Sequence, residues 1–274
     1  MLAPQRHAHI MDRIRAHGAV RVADLMRELR VSDMTVRRDL EALEAQGQLV
    51  KVHGGATLLR ETALHEPGFE TKRSLEHEAK LAIARAAAQL VEPGMAVAIS
   101  AGTTTYEVSR RLLDVPRLTV VTNSVPAADV LYHGGRPDQT IILTGGVRTP
   151  SDALVGPFTV AALRSVNVDI VFLGVHGMHV RAGFTTPNLL ESEANQALIE
   201  TGGRLVVTAD HTKWGVTGVS TIAPFSRADV VISDRGLDEE ARSILEAEVG
   251  AVVIAEEHGA PRPTAGPLAA MGPR

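Results

Sequence analysis

The sequence predicts an α/β chain in two parts: a small three-helix module closed by a β-ribbon, then a larger doubly wound, mainly parallel sheet with helices on both faces. Three observations carry this. Within residues 5–45 three apolar stripes recur at helical spacing, and an alternating stretch follows them up to Gly54-Gly55. From residue 96 onward the apolar residues come as short β-branched runs with helical patterns between several of them, the mark of strands buried on both faces. Between the two, residues 57–73 hold scattered apolar side chains around Pro67-Gly68 and no sustained period.

The first helix is expected from Gln5 to His17, with Ile10, Met11 and Ile14 on one face and Gly18 as its stop. The second opens near Arg21 and buries Val22, Leu25, Met26 and Leu29. Ser32 is a natural N-cap for the third, because its hydroxyl can accept from the free N–H groups of the first turn. That helix runs to about Ala45 on a stripe of Val36, Leu40 and Leu43, and Gly47 ends it. Gln48 to His53 alternates and meets a glycine turn, so the module reads as a winged helix-turn-helix.

In the second part the predicted strands are 96–99, 118–121, 140–143, 168–173, 205–207, 230–232 and 251–254, and the helices 75–91, 104–113, 124–132, 189–201 and 238–249. The domains are accordingly residues 1–56, a linker over 57–73, an α/β domain over 74–256, and a disordered tail over 257–274 rich in Pro, Gly and Ala.

Composition excludes several classes. There is no cysteine, so neither a disulfide framework nor a thiolate metal site is available, and a reducing cytoplasm is the expected compartment. Met1 to His9 has no signal pattern, and the apolar runs are too short to span a bilayer. The net charge of -4 divides unevenly: residues 1–56 carry nine Lys/Arg against seven Asp/Glu, and the remainder nineteen against twenty-five. The small positive excess lies in the module that would meet phosphates.

With Val36 and Leu40 turned to the core, the third helix presents Thr35, Arg37 and Arg38 outward, next to the capping Ser32. Arginine can hold guanine O6 and N7 together, and the N-terminal turns of this helix are those that a helix-turn-helix places in the major groove. Lys51 and His53 on the ribbon would add phosphate contacts. The competing reading is a solvated face in which Arg37 and Arg38 pair with Asp33 and Glu41.

The stretch from Ile14 to Ala56, with Thr35-Val36-Arg37-Arg38-Asp39-Leu40 followed by His53-Gly54-Gly55-Ala56, resembles the N-terminal domain of the DeoR family of bacterial sugar-metabolism regulators. That resemblance implies double-stranded operator DNA as a partner, and helix-turn-helix proteins usually pair to read two half-sites, so a homo-oligomer, dimer or tetramer, is expected.

Ligands of parallel α/β sheets sit where strands end and helix N-termini begin. Ser100-Ala101-Gly102-Thr103-Thr104-Thr105 has that character, since a glycine permits a tight turn and hydroxyls and helix N–H groups suit a phosphate, although an ordinary βα turn would share its composition. Asn123, Gly146, His176 and Gly177 end further strands. Asp210 could accept from sugar hydroxyls and Lys213 offer a charge to a phosphate; a plain Asp–Lys ion pair is the alternative. His176 and His179 lack further ligands of fixed spacing, so no metal and no cofactor is expected, and Trp214 and Tyr106 are expected to pack in the core.

The resemblance continues over 68–234 and implies a sensor domain similar in fold to ribose-5-phosphate isomerase that responds to a phosphorylated sugar or related metabolite. The chain departs from it at Ser100, where many members have Asp, and at Asn195, where many have Lys. The expected function is a repressor released by its effector. A competing reading is a sugar-phosphate isomerase with Asp210 or Glu191 as base and Lys213 as stabiliser, and another is an activator without ligand control.

Overall fold

The structure, a computed structural model, describes residues 3–17, 19–45, 48–52, 55–58 and 68–256. The expectations for Gly18, Gly47, His53, Gly54, most of the linker and the tail from 257 lie outside the described residues. Two compact units divide the chain, Met1–Pro67 and Gly68–Arg274.

The first unit holds α1 (Ala3–His17), β1 (Ala19–Arg21), α2 (Val22–Leu29), α3 (Asp33–Ala45), β2 (Leu49–Val52) and β3 (Gly55–Leu58). Its core is the set of stripes read from the sequence: Ile10, Ile14, Leu25, Leu29, Val36, Leu40 and Leu43, with Leu49 and Ala56 from the ribbon. Arg30, at φ 54°, ends α2 in the left-handed conformation and turns the chain into α3. The sequence did not reveal β1, which pairs antiparallel with β3 on the side opposite β2. That third strand explains Gly55: a Cβ there would lie 2.1 Å from the Val20 carbonyl oxygen, so glycine serves the close approach of β1. The ribbon also continues beyond residue 56 into stretches read as linker.

In the second unit, Phe69–Ser74 forms a short helix, α4, where the sequence reading had linker; Phe69 is buried and meets Tyr106 edge to face at 5.5 Å. There follow α5 (His77–Ala88), β4 (Ala96–Ile99), α6 (Thr103–Arg111), β5 (Thr119–Thr122), α7 (Val125–Gly134), β6 (Thr140–Leu143), β7 (Val147–Arg148), β8 (Leu154–Val155), α8 (Pro157–Leu163), β9 (Val168–Gly174), β10 (Gly177–His179), β11 (Gly183–Thr186), α9 (Leu189–Glu200), β12 (Gly202–Thr208), β13 (Ser220–Ala223), β14 (Val230–Asp234), α10 (Glu239–Glu248) and β15 (Val252–Ala255).

The seven β-branched runs all enter one sheet, in the order β15-β14-β12-β9-β4-β5-β6, with every pairing parallel. Side chains alternate along its central strands. Ile170 and Phe172 face the layer of Ala82, Ile83, Val108 and Leu112 from α5 and α6, whereas Val171 and Leu173 face that of Leu163, Leu198 and Leu245 from α8, α9 and α10. The sheet is thus doubly wound. Two antiparallel additions escaped the sequence reading, the β7-β8 hairpin and a three-stranded sheet β10-β11-β13.

The close approach at Gly55 sets a test of the winged module. Gly55→Ala should destabilise that unit by about 1–3 kcal/mol, the usual cost of overpacking, because the nearest atom is backbone and cannot swing away. Chemical unfolding followed by circular dichroism should register the loss, and unchanged stability would mean β1 lies further off.

Candidate functional site

In the first unit the Ser32 hydroxyl accepts from the Thr35 N–H at 3.3 Å and shares a 2.9 Å hydrogen bond with the Thr35 hydroxyl, so both side chains are engaged in starting α3. Beyond this cap Arg37 and Arg38 are exposed, as expected from the buried stripe. Arg37 donates to Asp33 at 2.5 Å one helical turn back. Lys51 on β2 donates to Glu41 at 3.0 Å, so Glu41 pairs with the ribbon and not with Arg38. Arg38 makes no ion pair among the described residues, which leaves its guanidinium ready for an external anion. The exposed pairs of Arg37 and Lys51 are weak in water and readily exchanged for phosphate. His53 lies outside the described residues.

Asp39, whose role the sequence reading did not assign, is buried on the inner side of α3. Its carboxylate accepts from Arg6 of α1 twice, at 2.6 and 3.0 Å, and lies 3.1 Å from His7 Nε2. Burial pushes the Asp39 pKa up, but the hydrogen bonds from Arg6 and His7 outweigh it and hold the carboxyl below its ordinary value. A signal existed: Val36, Asp39, Leu40 and Leu43 fall at i, i+3, i+4 and i+7, so Asp39 occupies a position of the buried stripe.

In the second unit the strand order reverses between β4 and β9, and the loops leaving these two neighbours run in opposite directions. The 100–105 segment leads from β4 into α6. Gly102 has φ +146°, a conformation that side chains resist, and delivers the chain to the N–H groups of Thr103, Thr104 and Thr105 at the start of α6. Thr105 is fully buried and donates to the Gly102 carbonyl at 3.0 Å, so its hydroxyl is turned inward. The side chains of Thr103 and Thr104 make no hydrogen bond among the described residues.

Three further predicted residues hold the framework of the loops. Ser100 is fully buried and accepts from the Gly174 N–H at 2.9 Å, tying the loop after β4 to the end of β9. Asn123 accepts from the Ala101 N–H at 2.9 Å and donates to the Leu154 carbonyl at 3.0 Å. Gly146, at φ +126°, lets the chain pass Val155 and Thr159, since a Cβ would lie 2.2 Å from the Thr159 hydroxyl.

Gly177 has a similar purpose, because a Cβ there would lie 2.2 Å from the Val216 carbonyl oxygen; the backbone following Lys213 therefore runs directly over β10. His176 is buried between β9 and β10. No group of three or more potential metal-binding side chains occurs among the described residues. Asp210 is buried after β12, and it accepts from the N–H of Thr212 at 3.1 Å and from the Thr212 hydroxyl, so it caps a 3-10 turn and forms no ion pair with Lys213 among the described residues. Asp234 of β14 fixes the same turn by accepting from the His211 N–H at 2.7 Å and pairing with His211 Nδ1 at 2.8 Å. Glu191 accepts from Thr149 at 2.8 Å and from Ser151, which anchors the β7-β8 hairpin to α9. Trp214 stacks on Phe225 with ring centres 6.0 Å apart, in keeping with a packing use.

Lys80 of α5 went unnoticed in the sequence. It is buried and donates to the Lys72 carbonyl at 2.6 Å and to that of Leu75. Burial lowers its pKa to about 8, Asp210 draws it back up and Lys213 pushes it down again, so the three charges share one corner of the unit. A lysine in a helical pattern reads as solvated, yet Lys80, Ile83, Ala84 and Ala87 fall at i, i+3, i+4 and i+7, so its place on the buried stripe was a signal of the same kind as that of Asp39.

A helix-turn-helix with an arginine-bearing third helix, joined to a doubly wound α/β sheet, defines a DNA-binding transcription regulator. The chain belongs to the DeoR family: residues 6–62 match the DeoR-like helix-turn-helix domain and residues 75–235 the DeoR C terminal sensor domain. It is similar to an uncharacterized HTH-type transcriptional regulator of Escherichia coli K12, YgbI, at 35% identity over 94% of this chain and 100% of that protein. A putative aga operon transcriptional repressor of Escherichia coli O157:H7 is 31% identical over 92% of this chain and 94% of its own length. Among solved structures, ribose 5-phosphate isomerase A from Methanocaldococcus jannaschii aligns with a TM-score of 0.36 at 17% identity, covering 52% of this chain and 55% of that one. Among the described residues no helix is long and apolar enough to cross a membrane.

Removing the Ser100 hydroxyl should loosen the joint between the β4 and β9 loops. Ser100→Ala should lower the stability of the second unit by about 1 kcal/mol, the net worth of one hydrogen bond, as read by urea unfolding. No change would mean that the Gly174 N–H has another acceptor.

Proposed function

We propose that the chain is a cytoplasmic repressor of a sugar-metabolism operon that binds operator DNA as a dimer or tetramer and releases it when a phosphorylated sugar or related metabolite occupies the second unit. It does so without catalysing a reaction. The observation that carries the effector reading is a cation pair beside a carboxylate: Lys80 of α5 and Lys213, which follows β12, lie near Asp210, and separately Thr103 and Thr104 open α6 after β4. A phosphate accepts from such groups, and a sugar hydroxyl can donate to the Asp210 carboxylate. The name of the related aga operon repressor supports repression as the sign of control. Arg37 and Arg38 are the residues that meet the major groove, with Lys51 on phosphate.

On this reading a thermal-shift series with phosphorylated sugars, and inorganic phosphate as control, should yield at least one compound that raises the melting temperature of the second unit. The same compound should lower affinity for a duplex selected by the protein from a random library. A series in which no compound does either would defeat the effector reading.

Two variants refine it. Lys80 is charged below its pKa of about 8 and loses that charge as pH rises through it, so effector affinity should fall above pH 8. Lys80→Met should remove that pH dependence; if it persists, the titrating group is another. Arg38→Ala should weaken binding to the selected duplex by about 1–3 kcal/mol, the worth of one two-point base contact, and narrow its preference over a scrambled duplex. Unchanged affinity and preference would place the DNA-reading face elsewhere.

A further inference from the structure

Most of what holds α3 in place is apolar. Val36, Leu40 and Leu43 pack among Ile10, Ile14, Leu25 and Leu29, and contacts of this kind fix how near two helices lie but discriminate poorly between small rotations. Reading bases demands more. A rotation of about 20° about the helix axis moves the surface of a helix 10–12 Å across by about 2 Å. Hydrogen bonds tolerate roughly 0.5 Å in donor–acceptor distance, so such a rotation would cost base contacts while leaving charge near the phosphates.

The one polar group on the buried side of α3 is Asp39, and it is gripped by the Nε and Nη2 of Arg6 and faces His7. A two-point guanidinium–carboxylate pair is directional in a way that apolar packing is not. It lies next in sequence to Arg38 and two residues from Arg37, so the turn that it holds is the turn that bears both exposed arginines. Its partners lie 32 and 33 residues away on α1, which makes the link tertiary.

We propose that the Arg6–Asp39 clamp is a specificity-determining positioning device, which sets the rotation of α3 and so the register of Arg37 and Arg38 on the bases. The clamp touches no DNA itself. It rests on the reading that α3 is the DNA-reading helix, and its effect falls on discrimination between sequences, with general attraction to the duplex preserved.

The test uses the full chain and two probes, the duplex that the wild-type protein selects from a random library and a scrambled duplex of equal composition. Arg6→Gln, Arg6→Lys and Asp39→Asn are compared by circular dichroism, thermal melting and DNA titration at several salt concentrations. In each folded variant affinity for the selected duplex should drop roughly tenfold, the scale of one lost base contact, while scrambled-duplex affinity and salt slope stay within about twofold. Arg6→Lys, which keeps the charge but loses the two-point grip, should resemble Arg6→Gln. If Asp39→Asn does not fold, the Arg6 variants decide.

Equal losses on both duplexes, no loss on either, or full recovery in Arg6→Lys would overturn the proposal. Arg38→Ala, measured alongside, keeps the two readings apart. If it binds both duplexes like the wild type, α3 is not the DNA-reading helix; if it weakens binding to the selected duplex while the Arg6 variants bind normally, only the clamp fails.

Discussion

The second unit depends on the reversal of strand order at β4 and β9, and on the hydrogen bond from the Gly174 N–H to the Ser100 hydroxyl that spans it. A parallel sheet that grows outward both ways from its centre sends its central loops apart, and the gap is where a ligand meets helix N-termini. Such a gap needs walls that do not drift. Ser100, Asn123 and Gly177 supply these walls: one ties β4 to β9, the next ties the 101 backbone to β8, and the third lets the 213–216 backbone rest on β10. Residues expected at a ligand thus also serve as framework. Strand-end position alone cannot separate the two, because a polar side chain at a strand end faces loop backbone as readily as it faces a ligand.

The two units handle buried charge in opposite ways. Asp39 is balanced by a guanidinium at hydrogen-bond distance, and its ionised form is favoured. Lys80 has carbonyl oxygens for partners and the carboxylates of Asp210 and Glu76 nearby, yet burial prevails and lowers its pKa to about 8. A balanced pair makes for a fixed geometry, whereas an under-balanced cation responds to any anion brought beside it. This contrast matches a reading unit that must be rigid and a sensing unit that must react.

Legibility in the sequence followed burial pattern. All seven strands of the main sheet stood out because each carries a short apolar, β-branched-rich run, buried in the central strands although the edge strand β6 is largely exposed, and the three helices of the first unit stood out because each has one wet and one dry side. Ala19–Arg21 was lost because three residues hold no period, and β10, β11 and β13 because their glycines and threonines resemble loop. Pro157 opens α8 at a position where proline is favoured, a cue that its seven residues were too short to reinforce. In the candidate sites, Gly102 was legible from the turn that it must make. Asp39 and Lys80 were each legible only as an anomaly in an apolar stripe, and the 72–75 carbonyls that receive Lys80 were not legible, since they lie at the end of the helix before α5.

What an effector can achieve in this architecture is limited by how differently it binds two states of the chain. Equal affinity shifts nothing, and moving an equilibrium from 1:99 to 99:1 takes a preference of about 10⁴. A rigid phosphate cradle gives no such preference, because it would hold the anion alike in both states. On the proposed effector reading a mobile cation does better: a state in which Lys80 and Lys213 close on one phosphate would gain more from the ligand than a state in which they stand apart.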